Sequence, residues 1–256
     1  MTMDTIDIDH FHRLGWVLTT SLDAAGAALV RSYVDEIAAW PDGSDWLHYR
    51  ELTDHGPKLC RTENFTPFHD GMREFLASGS MVAMASALLG EQAVLYKEKI
   101  NYKLAGGAGY APHQDAPAYR FVDRHVSCMV AIDDATTDNG CLEVVSGMHH
   151  EVHPMDDRGC IDRHIVASMT WETVPLRAGH TLWFHSRTPH RSGPNHTATD
   201  RRALYPTYNA IAEGDLRDRY YAQKLAEFAA SAASAAPGTQ RVQVSLIGDF
   251  QGRPVD

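Results

Sequence analysis

A mainly β fold with helices packed against it is the class this chain predicts, on three observations. From about residue 93 the chain breaks into short runs rich in β-branched and aromatic residues, divided by Gly, Pro, Asn and Asp, which is the spacing of a sandwich or barrel. On either side of that stretch the apolar residues recur at helical spacing. The length of 256 residues, with 44% hydrophobic and 22% charged residues, is within the reach of one large β domain.

Taken in order, "SLDAAGAALVRSYVDEIAAW" opens on a capping candidate, Ser21, and places Ala27, Val30, Val34 and Ala38 on one helical face. A second helix is predicted over "REFLASGSMVAMASALLG", stopped by Gly90. The runs "AVLYKEKINYKL", "HVSCMVAID", "CLEVVSG", "HTLWFHS" and "ALYPTYNAI" read as strands. A last helix is predicted around "GDLRDRYYAQKLAEFAASAASA", with "PGTQR" as a turn before an irregular tail. The expected organisation is one domain over 1–256: a helical part to about residue 92, a β core over about 93–212, and a helix with tail over about 213–256.

Composition excludes several classes. The formal net charge of −10 opposes nucleic acid or an anionic membrane as partner. No apolar run reaches the length of a membrane span, and "MTMDTIDIDHFHRLGW" is too acidic and polar for a signal peptide. Cys60, Cys128, Cys141 and Cys160 show no CxxC spacing, which suits reduced thiols in a cytoplasm. The oligomeric state has no signature in the sequence.

The chemistry concentrates in "GYAPHQDAPAY" (109–119). On an extended segment His113 and Asp115 point to one side and Gln114 turns away. Such a pair arises often by chance, but downstream a strand-like run leads to His190 in "HRSGPN", with Arg201–Arg202 opening the next strand. His113, Asp115 and His190 would make the two-histidine, one-carboxylate set that occupies one face of Fe(II) and leaves the other positions open.

In "HQD", "NGCLEVVSGMHH" (139–150), "HRSGPN" and the arginine eleven positions after the histidine, the chain resembles the phytanoyl-CoA dioxygenase family of Fe(II)/2-oxoglutarate oxygenases, from about residue 10 to 225. The resemblance implies a double-stranded β-helix, a cupin-like jelly roll, and carries the iron ligands onto His113, Asp115 and His190. It implies three cofactors or cosubstrates, Fe(II), 2-oxoglutarate and O2, and no catalytic side chain beyond the metal site. Arg201 takes the place of the arginine that pairs with the distal carboxylate of 2-oxoglutarate, a task suited to a planar guanidinium that stays charged. Ser192 matches a residue bonding the same carboxylate. Arg202, its neighbour on a strand, should face the other way.

The strand "YKEKINYK" places Lys97, Lys99, Asn101 and Lys103 on one face, with Tyr96, Glu98, Ile100 and Tyr102 on the other. It resembles a strand of ectoine hydroxylase whose corresponding face looks into the barrel. That correspondence puts Lys99, Asn101 and Tyr110 beside the cosubstrate, and Lys97, Gln114, Tyr119, Met129 and Tyr205 at the substrate. A buried ammonium calls for an anion, so the expected substrate is a small molecule with an acidic group, a carboxylate or phosphonate. His149, His150 and His153 read as loop histidines. Cys141 and Leu142 read as core. The competing reading is a cupin-like jelly roll serving as a metal hydrolase or a non-catalytic binding module, which leaves Arg201, Ser192 and the lysine strand without a purpose.

Overall fold

A computed structural model describes residues 7–43, 45–119, 121–234 and 247–255. The strands are β1 (Trp16–Thr20), β2 (Leu47–Thr53), β3 (Gly56–Glu63), β4 (Ala93–Lys97), β5 (Lys99–Lys103), β6 (Tyr110–His113), β7 (His125–Ala131), β8 (Leu142–Val144), β9 (Glu172–Val174), β10 (His180–His185), β11 (His190–Ser192), β12 (Arg201–Leu204), β13 (Thr207–Ala210) and β14 (Pro254–Val255). The helices are α1 (Ile8–Leu14), α2 (Ala24–Ala38), α3 (Asp70–Ala77), α4 (Gly79–Leu89), α5 (Arg163–Val166) and α6 (Arg217–Ser234). A large antiparallel sheet runs β1-β10-β7-β12-β5-β3-β2-β14, with β13 bridging β7 and β4, and faces a small sheet in the order β6-β11-β8-β9. Two such sheets with flanking helices make the jelly roll.

The pleat of β7 shows how the layers divide. Val126, Cys128 and Val130 pack with α2, α3 and α4 in one apolar cluster. Met129 and Ala131 join Leu142, Val144, Leu182 and Phe184 in the cluster between the sheets. Each such fully buried aliphatic or aromatic side chain contributes roughly 1.5–3 kcal/mol.

Several elements differ from the sequence reading. Helix α2 is capped by Asp23, whose carboxylate accepts from Gly26 N at 2.8 Å, while the backbone N–H of Ser21 is tied to Gly179 C=O at 3.0 Å. The second predicted helix is two, because Ser78 is extended and its hydroxyl caps the preceding turn on Glu74 C=O at 2.6 Å. The stretch to residue 92 also holds β1 and the β2–β3 hairpin, whose buried Arg61, Thr62 and Glu63 erase the usual apolar alternation. The run from Ala93 to Lys103 breaks at Glu98, whose buried carboxylate accepts from Thr66 N at 3.0 Å and from Arg217 at 2.6 Å. "PGTQR" lies outside the described residues. The tail beyond it is ordered as a strap: Asp249 C=O accepts from Ala111 N at 2.7 Å, Phe250 stacks on Tyr110, and β14 pairs with β2.

Candidate active site

The small sheet brings the ligand triad together. His113 ends β6 and His190 opens β11, directly opposite it in the register. Asp115 follows in a helical-region turn ahead of Pro117, so a bend delivers the carboxylate instead of the strand alternation expected for i, i+2. One side-chain donor atom from each of the three lies within 4.8 Å of the others, and all three residues are buried.

The hydrogen bonds around the triad prepare it for a cation. His113 Nδ1 lies 2.7 Å from Ala111 C=O and His190 Nδ1 3.0 Å from Thr188 C=O. A carbonyl only accepts, so the proton sits on Nδ1 and each Nε2 lone pair is left for a metal. Burial, aided by His113, draws His190 down to about 4, so it is neutral at physiological pH. Burial alone would raise the Asp115 carboxyl, but His190, Lys97, Lys99 and His113 outweigh it and hold it ionised. Its Oδ2 accepts from Ser127 Oγ at 2.7 Å. Two imidazoles and a carboxylate, gathered on one face, suit a divalent iron.

A cavity opens from the triad, walled among others by Lys97, Lys99, Asn101, Tyr110, Tyr119 and Tyr205. Arg201 borders the adjoining space, beside Asn101, Tyr110 and Lys103. Its guanidinium is 2% exposed; Nη2 donates to Gly140 C=O at 2.9 Å, while Nε and Nη1 have no partner. Two unanswered donors on a buried guanidinium fit a carboxylate of the cosubstrate. Lys103 Nζ stands in the same region, donating to Ser192 Oγ at 2.8 Å and to the carbonyls of Gly140 and Gly193 at 3.1 and 2.5 Å. Gly140 is required here: at φ +71° a Cβ would come within 2.3 Å of Gly193 O and 2.7 Å of Lys103 Nζ. Arg202 faces away from the cavity, as the strand period demands, and pairs with Asp133 and Asp35.

Two assigned substrate residues stand elsewhere. Gln114 is turned into the loops: its Nε2 donates to Glu151 C=O at 2.9 Å and Arg187 C=O at 2.5 Å, and its Oε1 accepts from His153 N at 2.8 Å. Met129 is fully buried in the cluster between the sheets, behind the Leu142 and Phe184 side chains that line the cavity. Four further charged residues line a connected chamber: Arg61, Glu63, Lys224 and Asp249. Lys224 could have been read from α6, where it stands one turn after Tyr220. Asp249 lies in "IGDFQG", which carries no signal of its own.

Fold and site define a non-heme iron oxygenase. The sequence profile of the family described as phytanoyl-CoA dioxygenase (PhyH) matches residues 25–203, and the chain belongs to that family. It is an iron- and 2-oxoglutarate-dependent dioxygenase. It is 45% identical to a methylphosphonate hydroxylase of Gimesia maris, over 99% of this chain and 97% of the other. It is 37% identical to a 2-aminoethylphosphonate dioxygenase of an uncultured bacterium, over 81% of each. Among solved structures it matches the non-heme alpha-ketoglutarate-dependent epimerase SnoN from nogalamycin biosynthesis, with a TM-score of 0.69 and 26% identity over 80% of this chain and 82% of that one. Among the described residues no helix is long and apolar enough to cross a membrane.

Proposed function

We propose that this enzyme hydroxylates a C–H bond of a small phosphonate, with methylphosphonate the first candidate. The observation that carries the reading is the wall opposite Arg201. Lys97 Nζ is buried in the cavity, 4.5 Å from the Tyr119 ring centroid and 5.9 Å from that of Tyr220, a place that calls for an anionic ligand. The named activities of the two relatives lie in the same substrate class.

In this reading His113, Asp115 and His190 hold the iron. Arg201 grips the distal carboxylate of 2-oxoglutarate, with Ser192 and Lys103 beside it, and Asn101 and Tyr110 flank the cosubstrate. Iron(II) with 2-oxoglutarate and O2 supplies the oxidising power for hydroxylation, and 2-oxoglutarate leaves as succinate and CO2. The protein's own part is positional. Ser127 keeps one oxygen of Asp115 turned from the open face. Lys97 anchors the acidic head so that the carbon beside it faces the triad. Tyr119 and Tyr205 wall the substrate and exclude water. The reading places the enzyme in the cytoplasm, which its four free thiols suit.

The test is succinate formation by the iron-loaded protein with 2-oxoglutarate, O2 and a panel of small phosphonates, the product followed by phosphorus NMR. Phosphonate-dependent succinate with a hydroxylated product is expected. Turnover that no phosphonate stimulates would overturn the reading.

A further inference from the structure

Two ammonium groups in the substrate half of the cavity make no ion pair with a carboxylate of the described residues. Lys97 and Lys99 stand on either side of Glu98, and both enter the space beside His113 and Asp115. Lys99 Nζ lies 5.3 Å from the Tyr205 ring centroid, as Lys97 lies over Tyr119. Neither makes a hydrogen bond or ion pair with a described residue. A tyrosine face attracts a cation only weakly, and less than burial disfavours it. Burial accordingly draws both ammoniums below the ordinary lysine range, Lys99 to about 7.

The acids of the chamber have other partners: Asp115 accepts from Ser127 Oγ and belongs to the metal triad. Glu63 is held by Lys224 Nζ at 2.5 Å and faces Arg61 Nη1 at 3.5 Å. Asp249 is a counter-charge to Arg61 and also stands 3.4 Å from His113 Nε2. Burial works against the Arg61 guanidinium, and Tyr110, Glu63 and Asp249 outweigh it. Four cations (Arg61, Lys97, Lys99, Lys224) thus share the chamber with three acids (Glu63, Asp115, Asp249), and with Asp115 committed to the triad the other two leave Lys97 and Lys99 without a carboxylate of their own.

We propose that Lys97 and Lys99 together form the site for a doubly charged phosphonate head, and that the chamber selects alkylphosphonates whose carbon chain carries no cation. The inference rests on the phosphonate reading above and moves Lys99 from the cosubstrate, where the family resemblance put it, to the substrate. The cosubstrate carboxylate has its own cations in Arg201 and Lys103. Lys99 does not border the space around Arg201, yet it lines the chamber of Arg61 and Lys224. An amine on the substrate would enter among like charges.

The experiment titrates the anaerobic Fe(II)–2-oxoglutarate holoprotein with methylphosphonate, 2-aminoethylphosphonate and acetate by calorimetry. The charge-transfer absorption of the iron–2-oxoglutarate complex is read on the same samples. Methylphosphonate is expected to bind roughly tenfold or more tightly than either competitor, and Lys97→Met and Lys99→Met each to weaken it by roughly tenfold or more. The 2-oxoglutarate dependence of the absorption stays unchanged in both variants, and Lys99→Arg recovers most of the methylphosphonate affinity. A Lys99→Met protein that loses 2-oxoglutarate and keeps methylphosphonate overturns the proposal alone. So does a wild type that binds 2-aminoethylphosphonate as tightly as methylphosphonate. A charge-transfer complex that binds no phosphonate at all overturns the phosphonate reading, and this proposal with it.

Discussion

The two ends of the cavity treat charge in opposite ways. At the Arg201 end the cations are anchored before any ligand arrives: Arg201 donates to Gly140 C=O, and Lys103 is held by two carbonyls and the Ser192 hydroxyl. At the Lys97 end the two ammoniums have only tyrosine faces for company. On the proposed reading, a cosubstrate that never changes meets a socket whose directions the backbone sets, which lowers the ordering entropy lost on binding. A substrate that differs among relatives meets side chains alone, so its recognition shifts with a few substitutions while the socket stands.

The largest effect should come from removing what both ends share. Asp115→Ala or His190→Ala is expected to lower succinate formation by on the order of a thousandfold or more, with loss of bound iron by metal analysis. Full iron uptake by either variant would break the triad assignment. Next, Arg201→Met should raise KM for 2-oxoglutarate by roughly a hundredfold, from two lost charged hydrogen bonds, with KM for substrate little changed. An equal rise in both constants would erase the distinction between the two ends.

A smaller effect follows from pH. Burial draws Lys99 and Lys103 each to about 7, with Lys97 and Arg201 respectively as the next causes, so each is charged below that pH and neutral above it. An anion loses its partner as pH rises, and between about pH 6.5 and 8.5 KM should climb several-fold for substrate and for 2-oxoglutarate. In Lys99→Arg, which stays charged, the substrate dependence should weaken and the cosubstrate dependence remain. Steady-state kinetics across that range separates the two lysines. Smallest for catalysis is Gln114→Ala, expected to cost about 1–3 kcal/mol of stability in denaturant titration because three loop hydrogen bonds go, with kcat/KM unaltered.

The sequence shows the two ends unequally well. The triad, Arg201 and the outward turn of Arg202 were legible because ligand spacing and the two-residue strand period are local properties of the chain. So was the inward face of Lys97, Lys99 and Asn101. Gln114 misled because the resemblance offered a pocket position, whereas the bend at Asp115 aims the amide into the loops. Arg61 and Glu63 stayed hidden because a buried strand of charged residues looks like a solvated one until its partners, Lys224 on α6 among them, are known. Asp249 could not be seen, since only the pairing of the tail with β2 and β6 brings it to His113.

That strap has a consequence for how the enzyme is made. During synthesis the three iron ligands are all present once residue 190 has emerged, and Arg201 soon after, while Asp249 comes off the ribosome much later. The growing chain therefore carries every triad residue before the segment that walls His113, and that wall closes only when residues 249–255 pair with β2 and β6.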